Sequence, residues 1–114
     1  MVHGVFTRGT TPTQIFTLPD ELSMKDIRDV SIAYKQKGKN VLVKHLEDCH
    51  FLTDLDNEKD VVVVLSQEET LLFNPYYKIV EVEFKVATVG SDVIPVATYR
   101  LRVEEGDNTV LDLS

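Results

Sequence analysis

The chain has 114 residues, of which 43% are hydrophobic and 27% charged, and its formal net charge is −7. These values are typical of one globular domain rather than a disordered segment, and at this length one core is feasible without disulfides. The sequence has no apolar run long enough for a membrane span, and its acidic balance disfavours nucleic acid as a partner.

The cysteine content and the first residues bear on the compartment. Cys49 is the one cysteine and cannot form an internal disulfide, which indicates a reducing compartment or a particle assembled in one. The segment from Met1 to Phe6 lacks the basic start and the apolar stretch of a secretory signal. We therefore expect the chain to fold without passing through a secretory pathway.

Residues 1–13 are predicted to form an N-terminal arm, because they contain glycines and Pro12 and have no periodic pattern. Val5 and Phe6 are nevertheless apolar, which a purely solvated tail does not require. We expect this arm to dock either on its own domain or on a neighbouring subunit.

Alternating side chains then predict a series of strands. The predicted elements are a strand over 14–18 ended by Pro19, one helical turn at 23–26, a strand over 28–36 with Val30, Ile32 and Tyr34 on one face, a turn at Gly38, a returning strand at 41–43, and a short strand at 49–52 before the polar turn 54–57. Most connections are short, as in an antiparallel fold.

The middle of the chain contains the clearest local signal. Residues 61–65 are β-branched or leucine on both faces, as in a strand buried on both sides. Ser66 and Glu69 then have the spacing of a capping box, and the helix must end by Phe73 because Asn74-Pro75 follows. A strand, one capped helical turn and another strand are typical of the E-to-F crossing of an immunoglobulin-like sandwich.

The last two strands are predicted to form a hairpin with a defined register. A turn at Gly90-Ser91 pairs residues whose numbers sum to 181, so that Val80 faces Leu101 and Glu81 faces Arg100. This register places apolar residues together on one face and opposite charges together on the other.

About seven strands joined by short connections predict an all-β fold, an immunoglobulin-like antiparallel sandwich with one short helical turn. A small closed barrel is the alternative architecture. The predicted organisation is an arm over 1–13, the sandwich over 14–104 and a polar C-terminal tail over 105–114.

The sequence contains no motif that predicts catalysis, a cofactor or a metal. Residues 54–58 have the spacing of a calcium loop, but Lys59 lies where glycine is required. His45, Cys49 and His50 are close in sequence, but no fourth zinc ligand follows from their spacing. The neighbouring carboxylates are explained by surface ion pairs and a helix start. We therefore expect a protein that is not an enzyme.

Tyr76 and Tyr77 have two interpretations, of which we prefer the first. They form a structural tyrosine corner at the start of strand F, or they are anchors for a partner, in which tyrosine is enriched. The lysines at 35, 37 and 39 surround the turn at Gly38 with no aromatic residue interleaved, which favours a solvated tip over a nucleic-acid contact.

The order of several motifs resembles a family of small proteins encoded by tailed bacteriophages. The residues that carry the resemblance are Arg8-Gly9-Thr10-Thr11-Pro12-Thr13, Phe16-Thr17-Leu18-Pro19, Ile32-Ala33-Tyr34-Lys35-Gln36, Val43-Lys44 with Glu47-Asp48-Cys49, Leu65 to Leu71, and Val80 to Val86. The likeness extends from Arg8 to about Val103. It implies a structural protein of the virion, with an immunoglobulin-like fold.

From this resemblance and the apolar arm we expect an oligomeric head-fibre or capsid-decoration protein, present in the host cytoplasm during assembly and then in the virion. The expected partners are other phage structural proteins and further copies of the chain, and neither nucleic acid nor a membrane. A tail or baseplate adaptor and a module that binds host-surface carbohydrate are the alternatives. The candidate partner contacts are Val5, Phe6, Arg8, Tyr76 and Tyr77.

Overall fold

A computed structural model describes residues 4–19, 22, 27–51, 60–90 and 92–105. The elements in this part of the chain are β1 (Gly4–Thr7), β2 (Thr13–Thr17), β3 (Ile27–Gln36), β4 (Lys39–His45), a 3-10 turn (Leu46–Asp48), β5 (His50–Phe51), β6 (Asp60–Val64), α1 (Gln67–Thr70), β7 (Ile79–Thr88) and β8 (Val93–Glu104). The helical turn predicted at 23–26, the loop at 54–58 and the tail at 106–114 lie outside the described residues.

The strands form two sheets. The larger has the order β1-β8-β7-β3-β4 and the smaller the order β2-β6-β5. The pairing of β1 with β8 is parallel, and the other pairings are antiparallel. If β2 is labelled strand B of an immunoglobulin-like sandwich, then β8, β7 and β3 correspond to the G-F-C sheet. In the same labelling, β2, β6 and β5 correspond to the B-E-D sheet. The predicted fold is confirmed, and the two sheets exclude the closed barrel.

The core lies between the two sheets and is built from the side chains that alternate inward along each strand. Its largest fully buried members include Tyr34, Phe73, Phe84, Ile32 and Leu65. The ring of Phe16 on β2 packs on Phe84 of β7 at a centroid distance of 5.4 Å, which joins the two sheets. Val30, Ile32 and Tyr34 share the buried face of β3, as the sequence predicts.

The register of the β7–β8 hairpin follows the prediction over most of its length. Val80 pairs with Leu101 and Glu81 with Arg100. The pairing then shifts by one residue between Phe84 and Lys85, so that Lys85 pairs with Pro95. Pro95 has no amide hydrogen to donate, and a bulge is one of the places where a sheet tolerates proline.

The capping box at the start of α1 is confirmed. The Ser66 hydroxyl accepts a hydrogen bond from the Glu69 amide at 3.1 Å, and the Ser66 amide donates to Glu69 Oε1 at 2.8 Å. The helix ends at Thr70 with Leu71 as its C-cap, before Phe73 as predicted. It connects β6 of the smaller sheet to β7 of the larger sheet, which is the predicted crossing.

The N-terminal segment differs from the predicted arm, because from Gly4 onward it belongs to the sandwich. β1 pairs with β8 over Gly4 to Thr7. Phe6 is 4% exposed and packs edge-on against Phe73 at a centroid distance of 5.2 Å. Docking on the chain's own body therefore explains Phe6, and the domain includes β1 from Gly4 onward rather than beginning at residue 14.

Candidate interaction surfaces

The five residues predicted as partner contacts lie in three different environments. Phe6 is buried in the core, so its assignment as a surface contact is wrong. Val5 is 56% exposed on β1, next to a cleft between the sheets. Tyr76 and Tyr77 are 84% and 37% exposed in the loop that connects α1 to β7. Arg8 is mostly covered, with a side chain that is 19% exposed.

Arg8 holds three segments of the chain together. One guanidinium nitrogen lies 2.5 Å from Glu105 just beyond β8, and the other donates to the Leu71 carbonyl after α1 at 3.1 Å. The buried Thr70 hydroxyl donates to the Thr10 carbonyl and accepts from the Gly9 amide, both at 3.0 Å. These contacts explain Arg8 as a structural residue that fixes the link from β1 to β2.

Tyr76, Tyr77 and Lys37 form one surface, which we call the tyrosine–lysine surface, and Lys39 and Lys78 flank it in the sequence. The two rings meet edge to face at a centroid distance of 5.8 Å. Lys37 Nζ lies 4.9 Å from the centroid of the Tyr77 ring, in the geometry of a cation–π contact. Lys37 has a φ of 55°, so its backbone adopts the left-handed conformation in the turn between β3 and β4.

A buried side chain positions this surface. Gln36 is 6% exposed, and its Nε2 donates to the carbonyls of Asn74 and Tyr77 at 2.9 and 2.8 Å. Its Oε1 accepts from the Asn74 amide at 2.8 Å. Asn74 Oδ1 in turn accepts from the Tyr76 amide at 2.9 Å. The loop that carries both tyrosines is therefore fixed to β3 by three hydrogen bonds to one amide side chain, which preorganises it for contact.

The exposure of the rings decides between the two interpretations of the tyrosines. A tyrosine corner needs a hydroxyl that bonds back to the backbone. Neither Tyr76 nor Tyr77 has a hydroxyl hydrogen bond to another described residue. Tyrosine rings are instead enriched among the residues that anchor protein contacts. The preferred structural interpretation is wrong, and the contact interpretation keeps its geometric support.

Sequence reasoning missed the proximity of Lys37 to Tyr77, because 40 positions separate the two residues. The lysine turn does have aromatic neighbours in space, which the sequence pattern of the turn does not reveal. Among the described residues, no carboxylate lies within 4.0 Å of Lys37, Lys39 or Lys78. The tyrosine–lysine surface is therefore a locally positive, aromatic surface on a chain whose net charge is −7.

A second feature, which we call the edge cleft, opens between β1 of the larger sheet and β2 of the smaller sheet. Its volume is about 460 Å³, and all its lining side chains are uncharged. Val5 and Leu101 line one side, Ile15 and Phe16 the other, and Val82 lies at the base. Ile15 is 56% exposed, like Val5. No sequence pattern indicates this cleft, because the cleft depends on which strands lie at the sheet edges.

His45 and Cys49, which the sequence analysis considered as metal ligands, make local contacts with each other and with Asp29. Asp29 accepts hydrogen bonds from the amides of Val30 and Leu46, and its Oδ2 lies 3.4 Å from His45 Nδ1. The Cys49 thiol donates to the His45 carbonyl at 3.2 Å. Burial, followed by the charge of Asp48, raises the pKa of Cys49 to about 11, so the thiol is protonated at neutral pH. The His50 side chain lies outside the description.

Two further observations concern metal binding and membrane-spanning helices. Among the described residues, no group of three or more histidine, cysteine or acidic side chains is arranged to hold a metal ion. In the same part of the chain, no helix has the length and apolar character needed to cross a membrane.

Comparison with known proteins finds likeness at the level of the fold. No protein-family model matches the sequence. No curated protein matches it either. CopC from Methylosinus trichosporium OB3b superposes with a TM-score of 0.52 at 12% identity, over 95% of this chain and 89% of that chain. A point mutant of the SrpA adhesin from Streptococcus sanguinis superposes with a TM-score of 0.54 at 13% identity.

The SrpA match covers 95% of this chain and 57% of the adhesin chain, so the chain spans little more than half of that protein's length. The immunoglobulin-like domain of mouse leukocyte-associated immunoglobulin-like receptor 1, in a strand-swapped dimer, has a TM-score of 0.47 at 10% identity, over 87% and 84% of the two chains. At these identities the likeness concerns architecture alone, and the strand order of the two sheets is that of an immunoglobulin-like β-sandwich.

Proposed function

We propose that the protein is a non-enzymatic structural component of a tailed-bacteriophage particle, a head-fibre or capsid-decoration protein that acts through surface contacts. The assignment to a phage particle rests on the sequence resemblance between Arg8 and about Val103. The contact role rests on the tyrosine–lysine surface. An oligomeric particle component needs at least one rigid surface for its neighbours, and this one is preorganised by Gln36.

The chemistry of the tyrosine–lysine surface suits a protein neighbour. Tyr76 offers a large exposed ring whose conformation costs little entropy to fix, because the loop backbone is already held. Lys39 and Lys78 add positive charges nearby in the sequence, and among the described residues neither has a carboxylate within 4.0 Å. Tyrosine is one of the side chains that most often dominate the energy of protein interfaces.

Quantitative mass spectrometry of purified particles from the phage that encodes this chain tests the proposal. We expect the chain at a fixed ratio to the major capsid protein. A ratio of many copies supports a head decoration, and a few copies per particle would place it in the tail or baseplate instead. If the chain is abundant in infected cells and missing from particles, the proposal is wrong.

A carbohydrate-binding module is the second candidate, favoured by the 84% exposure of Tyr76. Sugar rings stack on exposed aromatic faces, and the Tyr76→Ala variant would then lose the binding of a host-surface glycan on a glycan array. Its matched control is Tyr77→Phe, which keeps the ring under Lys37. Glycan binding by the natural chain that Tyr76→Ala abolishes would favour this function over the structural one.

A further inference from the structure

The outer edge of β2 has unpaired backbone groups. The hydrogen bond from the Leu65 amide to the Pro12 carbonyl, at 3.0 Å, continues the pairing of β2 with β6 and sets its alternation. In an antiparallel pair, every second residue exchanges both hydrogen bonds with its partner strand. The even-numbered residues of β2 therefore bond to β6. The backbone groups of the odd-numbered residues, Thr13, Ile15 and Thr17, therefore point to the free edge.

This edge lacks the features that usually prevent strand pairing between molecules. Edge strands are commonly guarded by charged side chains, proline, a bulge or short length. β2 has the sequence Thr-Gln-Ile-Phe-Thr, pairs with β6 without a register shift, and exposes Ile15. By contrast, the edge strand β4 has Lys39, Lys44 and His45 and a register shift against β3.

The neighbouring edge strand β1 is a poorer template. It has four residues, and the carbonyl of Thr7 already accepts a hydrogen bond from the Thr10 amide at 3.3 Å. The parallel pairing with β8 leaves the backbone groups of Val5 as its remaining free pair at that edge. β2 is therefore the edge of the described part of the chain that is best suited to accept another strand.

We propose that β2 pairs antiparallel with β2 of a second copy, about a two-fold axis at Ile15, which joins two three-stranded sheets into one sheet of six strands. This inference rests on the proposed function, an oligomeric particle component, and adds the surface through which the copies meet. A two-fold contact uses the same patch on both copies and must be self-complementary.

The odd-numbered residues of β2 meet that requirement. With Ile15 on the axis, Ile15 lies opposite Ile15 of the other copy, and Thr13 lies opposite Thr17. Cross-strand pairs of β-branched residues and of threonines are favourable. The backbone donors and acceptors of these residues also meet in matching order, since the antiparallel ladder has the same symmetry.

Charge also favours a second copy at this edge. Two copies that each have a net charge of −7 repel one another, and like charges placed directly opposite destabilise a strand pair. β2 has no charged residue, and the lining of the adjacent edge cleft is uncharged as well. The two copies therefore approach at β2 without opposing like charges across the new ladder.

Cysteine cross-linking tests the register in the full-length chain, with Cys49→Ala as background. Directly opposed residues that exchange hydrogen bonds have Cα atoms about 5.5 Å apart, within the range of roughly 4.4–6.8 Å that a disulfide spans. Under mild oxidation, Ile15→Cys should therefore give a covalent dimer on a non-reducing gel. Thr13→Cys is the matched control and should run as a monomer on the same gel, because Thr13 lies opposite Thr17 and not opposite itself.

The double variant Thr13→Cys with Thr17→Cys should cross-link again, now through two disulfides per dimer. Equal cross-linking of Ile15→Cys and Thr13→Cys would indicate random collision and would overturn the proposed register. A failure of Ile15→Cys to cross-link, or its cross-linking to a different particle protein only, would overturn the self-pairing.

A second measurement does not depend on cysteine chemistry. Ile15→Pro removes the amide hydrogen that faces the free edge and leaves the hydrogen bonds from β2 to β6 in place. We expect sedimentation velocity to find the natural chain as a dimer and Ile15→Pro as a folded monomer with an unchanged circular dichroism spectrum. If Ile15→Pro does not fold, Ile15→Lys serves instead, since it places like charges opposite each other. A variant that stays dimeric, or a natural chain that is monomeric, would overturn the inference.

The failure of this inference can be distinguished from failure of the proposed function. A monomeric natural chain that is nevertheless found at a fixed ratio in particles would reject the β2 contact and leave the particle role intact. A β2 dimer that is missing from particles would do the reverse.

Discussion

Gln36 is the residue whose replacement tests most directly how the tyrosine–lysine surface is held. The substitution Gln36→Leu keeps the size of the side chain and removes both hydrogen-bonding atoms. It therefore removes the two bonds that Nε2 donates to the carbonyls of Asn74 and Tyr77 and the bond that Oε1 accepts from the Asn74 amide.

The expected loss of stability follows from these three bonds. Each intramolecular hydrogen bond contributes about 0.5–1.5 kcal/mol net, and a buried group left unpaired costs more. Asn74 is exposed, so water can hydrogen-bond to some of the backbone groups that Gln36→Leu leaves unpaired. The leucine side chain also gains free energy from its burial. We therefore expect the free energy of unfolding to fall by about 2–3 kcal/mol.

Urea denaturation of the purified chain measures this change. With a slope of about 1–3 kcal/mol per molar urea, the midpoint should fall by about 0.7–3 M. Gln67→Leu is the matched control, because Gln67 is partly exposed and its side chain makes no hydrogen bond to another described residue. It should change stability by less than about 0.5 kcal/mol. A loss for Gln36→Leu as small as that of the control would refute the role given to these hydrogen bonds.

Three further predictions concern the core and the cap. Phe6→Ala should cost about 3–5 kcal/mol of unfolding free energy because it empties a buried site, whereas Val5→Ala on the exposed face should cost less than about 0.5 kcal/mol; equal costs in denaturation would contradict the incorporation of β1. Tyr34→Phe removes the hydrogen bond that the buried hydroxyl donates to Gln14 Oε1 of β2 and should lower the free energy of unfolding by about 1–2 kcal/mol. An unchanged free energy of unfolding would show that this bond is dispensable. Burial alone would raise the pKa of Glu69, but its hydrogen bond from Lys44 and its role in the cap outweigh burial and lower the pKa below the usual value of 4.5. Because the folded pKa is the lower one, Glu69 stabilises the fold above about pH 4.5 and loses this contribution as pH falls through the folded pKa; melting temperatures measured from pH 6 to pH 3 should fall less steeply for Glu69→Gln, and parallel profiles would contradict the pKa shift.

Much of the fold could be predicted from the sequence because the relevant forces act between near neighbours in the chain. The period of two along β3 and β7 requires an inward and an outward face, and Val30, Ile32 and Tyr34 are buried accordingly. The capping box at Ser66 depends on residues three positions apart. The β7–β8 register follows from one turn and the matching of both faces, up to the bulge at Pro95.

The candidate surfaces were predicted less well, because they depend on contacts between distant segments. Tyr76 and Tyr77 were identified as residues of interest from their type and position. The side chains that position them, Gln36 and Lys37, lie about 40 residues earlier in the chain and approach only when β3 and β7 pair. A side-chain amide that holds a distant loop leaves no periodic signal in the sequence.

Short-range periodicity and capping were enough to predict the alternation of the strands, the helical crossing and hence the class of sandwich. The role of the N-terminal segment could not be predicted in this way, because the parallel pairing of β1 with β8 joins residues almost a hundred positions apart. The position of β2 at a free edge beside an uncharged cleft likewise depends on the arrangement of the complete sheets. The alternation of side chains within a strand determines which of its faces is buried. The neighbour of a strand at each edge depends instead on the topology of the whole chain.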